Sequence, residues 1–301
     1  MYRWIQSTQC LQFHIENQIA TITLNRPERR NALSRELLVE LRNALLESDD
    51  RADVSVIIIA GAGKDFCSGY DLATTYVNTA NKAADKTSVY RDGQESSLDN
   101  DAWRLERAQE LIRTVVDIHK PVIAQVQGNC LAGGTDLALY CDMVIAAENA
   151  VIGFPAIRSL GAPPNMMWPY LVGPQWAKRL LLTGDCISGA DAARIGLVLD
   201  AYPVDELADQ VHELARRISL NDQGVVSALK RSVNLSQELA GASTMARLAA
   251  EIDARAHRSH GPRQLAFMAD IAKSDLRTAL ANRDAPFGDS MVRLNQRGGN
   301  P

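Results

Sequence analysis

The stretch Gly128-Asn129-Cys130-Leu131-Ala132-Gly133-Gly134-Thr135-Asp136 joins a predicted strand to a predicted helix through a glycine-containing turn. The apolar run Val122–Val126 precedes it, and residues 136–140 begin the predicted helix. Glycines let the backbone turn tightly and approach a ligand closely. A helix N-terminus adds free N–H donors and positive potential. The stretch therefore favours a backbone site for an oxygen that carries negative charge.

A second glycine-containing turn, Phe66-Cys67-Ser68-Gly69-Tyr70-Asp71-Leu72, follows the apolar, β-branched run at residues 54–60. That run has apolar residues on both faces of the predicted strand, which is typical of a strand covered on both sides. Two such turns can aim two backbone N–H groups at one oxygen. The loss of one donor from a pocket of this kind costs roughly 3–4 kcal/mol of transition-state stabilisation.

Other glycine motifs fit the sequence poorly. Gly61-Ala62-Gly63 is followed by Phe66 where a dinucleotide-binding fingerprint needs its third glycine. Gly63-Lys64 precedes Asp65 rather than the Ser or Thr of a phosphate-binding loop. Ser68 has no glycine two residues before it, so it is not a nucleophile elbow.

Strand, helix and glycine turn recur along the first two thirds of the chain, which predicts an α/β core of repeated βα units. Ser34 is the predicted N-cap of one of its helices. After about residue 204 the strand signals stop. We therefore predict a core domain at residues 1–205 and a helical domain at residues 206–301. The predicted helices of that second domain are 207–218, 225–237, 245–256 and 265–281, followed by a frayed tail at 288–301.

Composition limits the classes of function. The chain has 301 residues, of which 46% are hydrophobic and 23% charged, which argues against disorder. The formal net charge of −4 gives no basic surplus, so a nucleic-acid partner is not expected. The N-terminal segment lacks the apolar stretch of a secretory signal, and apolar runs are too short for a membrane span. Five cysteines without a CxxC pair predict reduced thiols in a cytoplasmic protein, and the mostly scattered histidines predict no metal site.

Together these motifs resemble the crotonase superfamily, the enoyl-CoA hydratase/isomerase family, from residue 19 to residue 287. The matching segments are 23–27 with 31–34, 66–72, 120–124, 128–136, 141–142, 182–185 and 192–198. The resemblance implies an α/β fold: a crotonase-like spiral of repeated ββα units with a C-terminal helical domain. It also implies a homotrimer or dimer of trimers, acyl-CoA thioester substrates and no cofactor beyond the coenzyme A of the substrate.

The resemblance also implies roles for individual residues. The oxyanion hole would consist of the backbone N–H groups of Tyr70 and Gly133. The substrate or its coenzyme A would contact residues beside the first donor, in the loop after the second strand and in the C-terminal region. These residues are Ser68, Asp71, Leu72, Arg26, Arg30, Arg283 and Phe287. The last two resemble a basic-aromatic element of the family that reaches the nucleotide of a bound ligand, often from a neighbouring subunit.

The chain departs from the family at its acids. Family hydratases use two glutamates, and the corresponding positions here are Asp136 and Ala156. Alanine transfers no proton, and general acid–base catalysis contributes about 10²–10⁴-fold. An aspartate at 136 also resembles the dienoyl-CoA isomerase branch, whose further acids fall near Ala156 and Pro164. Asp136 is therefore the predicted single acid/base, which suits proton shuttling along an enolate better than two-acid hydration.

Three interpretations stay open. The leading one is an enzyme of this family that stabilises a thioester enolate and uses Asp136. The second is another crotonase-type reaction, namely thioester hydrolysis, C–C cleavage or decarboxylation, with an acid supplied by the polar loop predicted at residues 74–101. The third is a catalytically silent acyl-CoA-binding relative, which Ala156 favours.

Overall fold

The computed structural model describes residues 2–72, 89–91 and 97–294. Within them the first sheet has six strands in the order β1-β2-β3-β4-β6-β9. The first two strands pair antiparallel around Asn17 and Gln18, whose φ values are positive, and the remaining neighbours are parallel. The strands are β1 Leu11–Glu16, β2 Ile19–Leu24, β3 Val56–Gly61, β4 Val122–Val126, β6 Met143–Ala147 and β9 Asp200–Tyr202.

The second sheet has four short strands in the order β10-β8-β7-β5. They are β5 Asn129–Leu131, β7 Val151–Gly153, β8 Cys186–Ser188 and β10 Met291–Val292. The chain passes from β4 to β5 and from β6 to β7, so successive strands alternate between the two sheets. A helix follows each of these strand pairs. This alternation confirms the expected spiral of ββα units.

Ten α-helices complete the described fold. They are α1 Arg35–Asp50, α2 Leu98–Asp117, α3 Gly133–Ala138, α4 Trp168–Thr183, α5 Gly189–Ile195, α6 Leu207–Ser219, α7 Gln223–Leu239, α8 Ala242–His257, α9 Pro262–Lys273 and α10 Leu276–Asp284. The predicted cap of α1 is confirmed, because Ser34 Oγ accepts the Leu37 N–H at 3.2 Å. None of the helices in residues 2–72 and 97–294 is both long and apolar enough to cross a membrane.

The core centres on β3, whose six residues are all buried. A strand buried at every position is covered on both faces of its sheet. Helix α6 packs against β2, β3, β4, β6 and β9 through Leu207, Val211 and Ala215. The first helix of the predicted second domain thus covers the sheet of the first, and the proposed boundary near residue 205 stays a prediction.

Three predictions about the ends of elements are wrong. Residues 265–281 form two helices rather than one, because Asp275 caps α10 by accepting the Thr278 N–H at 2.7 Å. Part of the predicted tail is strand β10, which pairs with β8 in parallel. Helix α2 begins at Leu98, within the predicted polar loop, and Ser97 caps it. Most of that loop, residues 74–88 and 92–96, lies outside the described residues, as do residues 1, 73 and 295–301.

A buried lysine fastens the C-terminal helices to the sheet. Lys230 of α7 donates from Nζ to the carbonyl oxygens of Val115 and Lys120, each at 2.9 Å. The same Nζ lies 2.9 Å from Asp142 Oδ2, which also accepts the Val122 N–H at 2.7 Å. One cation thereby joins α7 to the end of α2 and to the start of β4.

We expect Lys230→Met to lower the free energy of unfolding by about 1–3 kcal/mol, because it removes the cation from the Asp142 carboxylate and leaves the Val115 and Lys120 carbonyls without their buried donor. Lys178→Met on α4 is the matched control, since Lys178 is exposed, and should change stability by less than about 0.5 kcal/mol. Urea-unfolding midpoints measure both. Equal midpoints for the two variants would show that the ion pair contributes nothing net.

Candidate active site

The two glycine-containing turns lie side by side. Cys67 donates its N–H to the Asn129 carbonyl oxygen, and its own carbonyl accepts the Leu131 N–H, both at 3.0 Å. On the other side of the same turn, the Gly69 carbonyl accepts the Leu33 N–H at 2.8 Å. Residues 66–72 are thus held between the segment that leads into α1 and strand β5.

Two glycines make this approach possible. A Cβ atom on Gly134 would overlap the carbonyl oxygen of Cys67. Gly69 has a φ of +111°, which residues with a side chain rarely adopt, and a Cβ there would lie 3.4 Å from the Gly133 nitrogen. The donor turns are therefore in direct backbone contact.

Helix α3 begins at Gly133, three residues before its predicted start. The N–H groups of Tyr70 and Gly133 donate to no acceptor in the described parts of the chain. Their neighbours are satisfied: the Asp71 N–H binds the Leu33 carbonyl at 3.1 Å and the Thr135 N–H binds the Ala132 carbonyl at 2.8 Å. The two unsatisfied donors sit on the two turns that touch.

The Tyr70 side chain connects the first turn to the helix of the second. Its ring lies against Gly133, where an added Cβ would come within 2.9 Å of Cδ2 and Cε2. Its hydroxyl Oη donates to Asp136 Oδ2 at 2.9 Å. It also accepts a hydrogen bond from Gln109 Nε2 at 2.6 Å. Tyr70 therefore presents a backbone donor at one end and a buried phenol at the other.

Asp136 is fully buried, and its Oδ1 has no hydrogen-bond partner among the described residues. Burial raises the pKa of this carboxyl well above its usual range, the negative charge of Asp253 adds to the rise, and the Tyr70 hydrogen bond opposes it. Burial and the nearby Asp136 also raise the pKa of the Tyr70 phenol. Asn165 donates from Nδ2 to the Asp136 carbonyl oxygen at 3.0 Å. A buried carboxyl of raised pKa is typical of a group that exchanges protons.

Ala156 lies in a 3-10 helix, Pro155–Arg158, and its carbonyl accepts the Leu160 N–H at 2.7 Å. Two acids, one from α8 and one from α2, lie beside the segment that follows this turn, the second of them linked through a histidine. Asp253 Oδ1 accepts the Ala162 N–H at 2.7 Å and lies 3.4 Å from His257 Nε2. His257 Nδ1 lies 2.9 Å from Asp101 Oδ2. Burial raises the pKa of Asp253 to about 6.

Sequence reasoning missed Gln109, Asp253, His257 and Asn165. The one available signal was Gln109, a polar residue between Leu105 and Ile112 on the apolar stripe of α2. The other contacts join segments far apart in the sequence, and no local pattern marks them.

The residues predicted to bind substrate beside the first donor pair with one another or with the backbone. Arg26 Nη2 lies 2.8 Å from Asp71 Oδ2, and Ser68 Oγ donates to the Arg29 carbonyl at 3.4 Å. Arg30 is mostly exposed and lies 3.9 Å from Asp65 Oδ2. Leu72 packs against a small cluster of Leu160, Phe267 and Ala279.

The predicted C-terminal element forms a separate cluster. The Arg158 guanidinium lies 4.0 Å from the centre of the Phe287 ring, and that of Arg263 lies 5.0 Å away. Arg283 is buried and pairs with Asp284 at 2.8 Å. Within one chain, the Arg283 guanidinium is thus paired with the next residue, Asp284, while Phe287 is 37% exposed.

An apolar cavity of about 540 Å³ opens between the end of α3, α4 and helices α6 to α8. Leu139, Met167, Leu171 and Leu229 are among its lining residues. Tyr70, Gly133 and Asp136 do not line it, so it is distinct from the two donor turns.

Comparison with known proteins gives a consistent result. The sequence profile of the enoyl-CoA hydratase/isomerase family matches residues 14–101 and 90–264. A crotonyl-CoA hydratase from Syntrophomonas wolfei is 35% identical over 73% of this chain and 79% of its own length. A peroxisomal Delta(3,5)-Delta(2,4)-dienoyl-CoA isomerase from Arabidopsis thaliana is 30% identical over 78% of this chain and 84% of its own. The crystal structure of an enoyl-CoA hydratase from Mycobacterium smegmatis superposes with a TM-score of 0.84 at 32% identity, covering 94% of this chain and 95% of that one.

We expect Gly134→Ala to lower the free energy of unfolding by about 1–3 kcal/mol, because the new methyl group overlaps the Cys67 carbonyl and forces the turns apart. Gly224→Ala on α7 is the matched control, since its added Cβ would meet no described atom within 4 Å apart from its chain neighbours and the backbone of its own helix. It should be neutral or slightly stabilising. Urea unfolding of both variants measures the difference, and equal stability would contradict the close packing of the turns.

Proposed function

The chain belongs to the enoyl-CoA hydratase/isomerase family of the crotonase superfamily, and on that premise we propose that it stabilises an acyl-CoA enolate between the N–H groups of Tyr70 and Gly133. Two backbone donors that have no acceptor in the described parts of the chain, on turns in direct contact, support this role. Donors fixed by the fold stabilise developing negative charge without reorganising during the reaction. The thioester carbonyl oxygen acquires that charge when a proton leaves the adjacent carbon.

Asp136 is the proposed acid/base. Its carboxylate takes a proton from one carbon of the acyl group, and the electrons of the broken C–H bond move to the thioester oxygen. The same carboxyl returns the proton to another carbon of the delocalised enolate, which shifts a double bond and needs no oxidant or reductant. The observation that carries this proposal is a buried carboxyl, three residues beyond Gly133, whose Oδ1 has no partner in the described chain.

The substrate class follows from the relatives. The similar proteins named crotonyl-CoA hydratase and dienoyl-CoA isomerase both carry a coenzyme A thioester in their names. We propose the same class here, and isomerisation before hydration because Ala156 supplies no second acid. Arg26 and Arg30 are proposed to face the coenzyme A, with Asp71 orienting the first of them. Ser68, Leu72, Arg283 and Phe287 stay predicted contacts.

Oligomerisation is also proposed, as a homotrimer or a dimer of trimers. Helix α7 supports a subunit contact, because Val225, Leu229 and Val233 lie on one face and are 57%, 61% and 62% exposed. Apolar side chains at i, i+4 and i+8 form a stripe that a partner helix can cover. A cytoplasmic location stays a prediction.

We expect Asp136→Asn to slow exchange of the α- or γ-proton by about 10²–10⁴-fold while acyl-CoA affinity stays within a few-fold. The amide matches the neutral acid in shape, so the fold should persist. Deuterium wash-in, with a panel of enoyl-, dienoyl- and 3-hydroxyacyl-CoA thioesters, measures the reaction. Normal turnover by the variant would sink the role of Asp136, and no exchange or product from wild-type protein would favour the silent acyl-CoA binder.

The proton-abstraction rate should depend on pH through Asp136. Only the carboxylate can act as base, and burial raises its pKa well above the ordinary 3.8. We therefore expect kcat/KM to fall on the acid side with a midpoint well above that of an exposed aspartate. The folded protein also holds this proton more tightly than the unfolded chain, so the Asp136 contribution to stability decreases as pH rises through the same range. Asp136→Asn should remove that contribution, and an acid limb at the ordinary aspartate pKa would contradict the assignment.

A further inference from the structure

Gln109 belongs to none of the motifs that define the family resemblance, yet its side chain reaches the proposed acid/base through one intermediate. It lies on the buried face of α2 and is 7% exposed. Its Nε2 lies 2.6 Å from Tyr70 Oη, which in turn lies 2.9 Å from Asp136 Oδ2. Three polar groups from three separate segments thus form one chain in the interior of the protein.

The donor and acceptor capacities of the three side chains give this series of hydrogen bonds a direction. An amide nitrogen donates and does not accept, so Oη receives the Gln109 bond on a lone pair. The phenol hydrogen is then free for the other neighbour, and the acceptor within reach is Asp136 Oδ2. This leaves Oδ1 as the Asp136 oxygen without a partner among the described residues.

We propose that Gln109 is a positioning residue that turns the Tyr70 hydroxyl toward Asp136 Oδ2 and so makes Oδ1 the oxygen that exchanges protons with substrate. The inference rests on the proposed acid/base role of Asp136. When Asp136 is ionised, Oδ2 is occupied by the phenol and Oδ1 accepts the substrate proton. When it is neutral, the proton sits on Oδ1, because Oδ2 is already receiving the phenol hydrogen. The same oxygen therefore takes and returns the proton.

Other titratable groups face Asp136 from the elements around it. They are Tyr70 and Cys67 of the first turn, Cys130 of β5, Tyr140 after α3 and Asp253 of α8, with His257 and Asp101 behind the last. Burial raises the pKa of the Cys67 thiol to about 12 and raises the pKa values of Cys130, Tyr70 and Tyr140 as well, so these groups stay neutral between pH 5 and 8. Asp253 is the group to separate experimentally, because its negative charge acts on Asp136.

The test compares pH profiles of kcat for Gln109→Met, Tyr70→Phe and the double variant, each in wild-type and Asp253→Asn backgrounds. Tyr70→Phe keeps the backbone donor and the aromatic ring and removes only the hydroxyl group. It deprives the carboxylate of a donor, so the acid limb should move to higher pH. Gln109→Met should lower kcat about 5- to 10-fold, with KM within about twofold, and move the limb in the same direction. In the double variant the Gln109 effect should vanish, because Gln109 acts only through the phenol.

Thr114→Val is the control on the same helix. Thr114 is also buried, and among the described residues its Oγ1 donates to the Glu110 carbonyl of its own helix, at 3.4 Å. Its pH profile should match that of the wild-type protein, which separates the proposed role from a general disturbance of α2.

The outcomes distinguish this inference from the proposed function. If the acid limb of the Gln109→Met profile moves to lower pH, the phenol donates to Gln109 in the wild-type protein and the proposal is wrong. The direction of this shift is informative even if Tyr70→Phe fails to fold. Additive effects in the double variant would assign Gln109 a purely structural role. If Gln109→Met and Tyr70→Phe both keep the wild-type pH profile while Asp136→Asn is inactive, only the positioning role of Gln109 is overturned. An active Asp136→Asn overturns the proposed function itself.

Discussion

The backbone pairing of Cys67 with the Asn129–Leu131 strand is the contact on which the candidate site depends. It brings together two segments that are more than 60 residues apart in sequence and holds them at hydrogen-bonding distance. The pairing extends on both sides, since Gly69 binds the backbone of Leu33, and the Ala132 N–H binds the Gly153 carbonyl at 2.9 Å. These backbone hydrogen bonds fix the direction of the N–H groups of Tyr70 and Gly133. Their alignment therefore belongs to the backbone and requires no particular side chain.

The acid, in contrast, depends on side-chain chemistry. Asp136 lies in the interior with no cation beside it among the described residues, and its ionised form is costly because a buried charge loses its hydration. The Tyr70 hydroxyl offsets part of that cost, and Asp253 adds to it. The fold accepts an unfavourable group at the place where the proposed reaction needs a strong base. Asp142 shows the structural alternative, since its partly covered carboxylate is paired with the buried ammonium group of Lys230.

Much of the fold could be predicted from local sequence patterns. The β-branched runs predicted β3 and β4, and Ser34 predicted the start of α1. The glycines at 69, 133 and 134 indicated the two turns. Strand β10 could not be predicted, because two residues carry no periodicity and their pairing with β8 is wholly tertiary. Gln109 escaped for a related reason. Its partner, Tyr70, is 39 residues away, and a single polar residue on an apolar stripe does not indicate which group it binds.

The pairing of β10 with β8 has a consequence for how the molecule is made. Met291 and Cys186 are neighbours in the sheet but 105 positions apart in the chain. During synthesis, which proceeds from the N-terminus at about 5–20 residues per second, β8 leaves the ribosome several seconds before its partner. Throughout that interval one edge of the small sheet has open hydrogen-bonding groups, and such an edge can pair with a foreign strand. The interval is a window in which a nascent chain needs protection, and it closes only when the last strand docks.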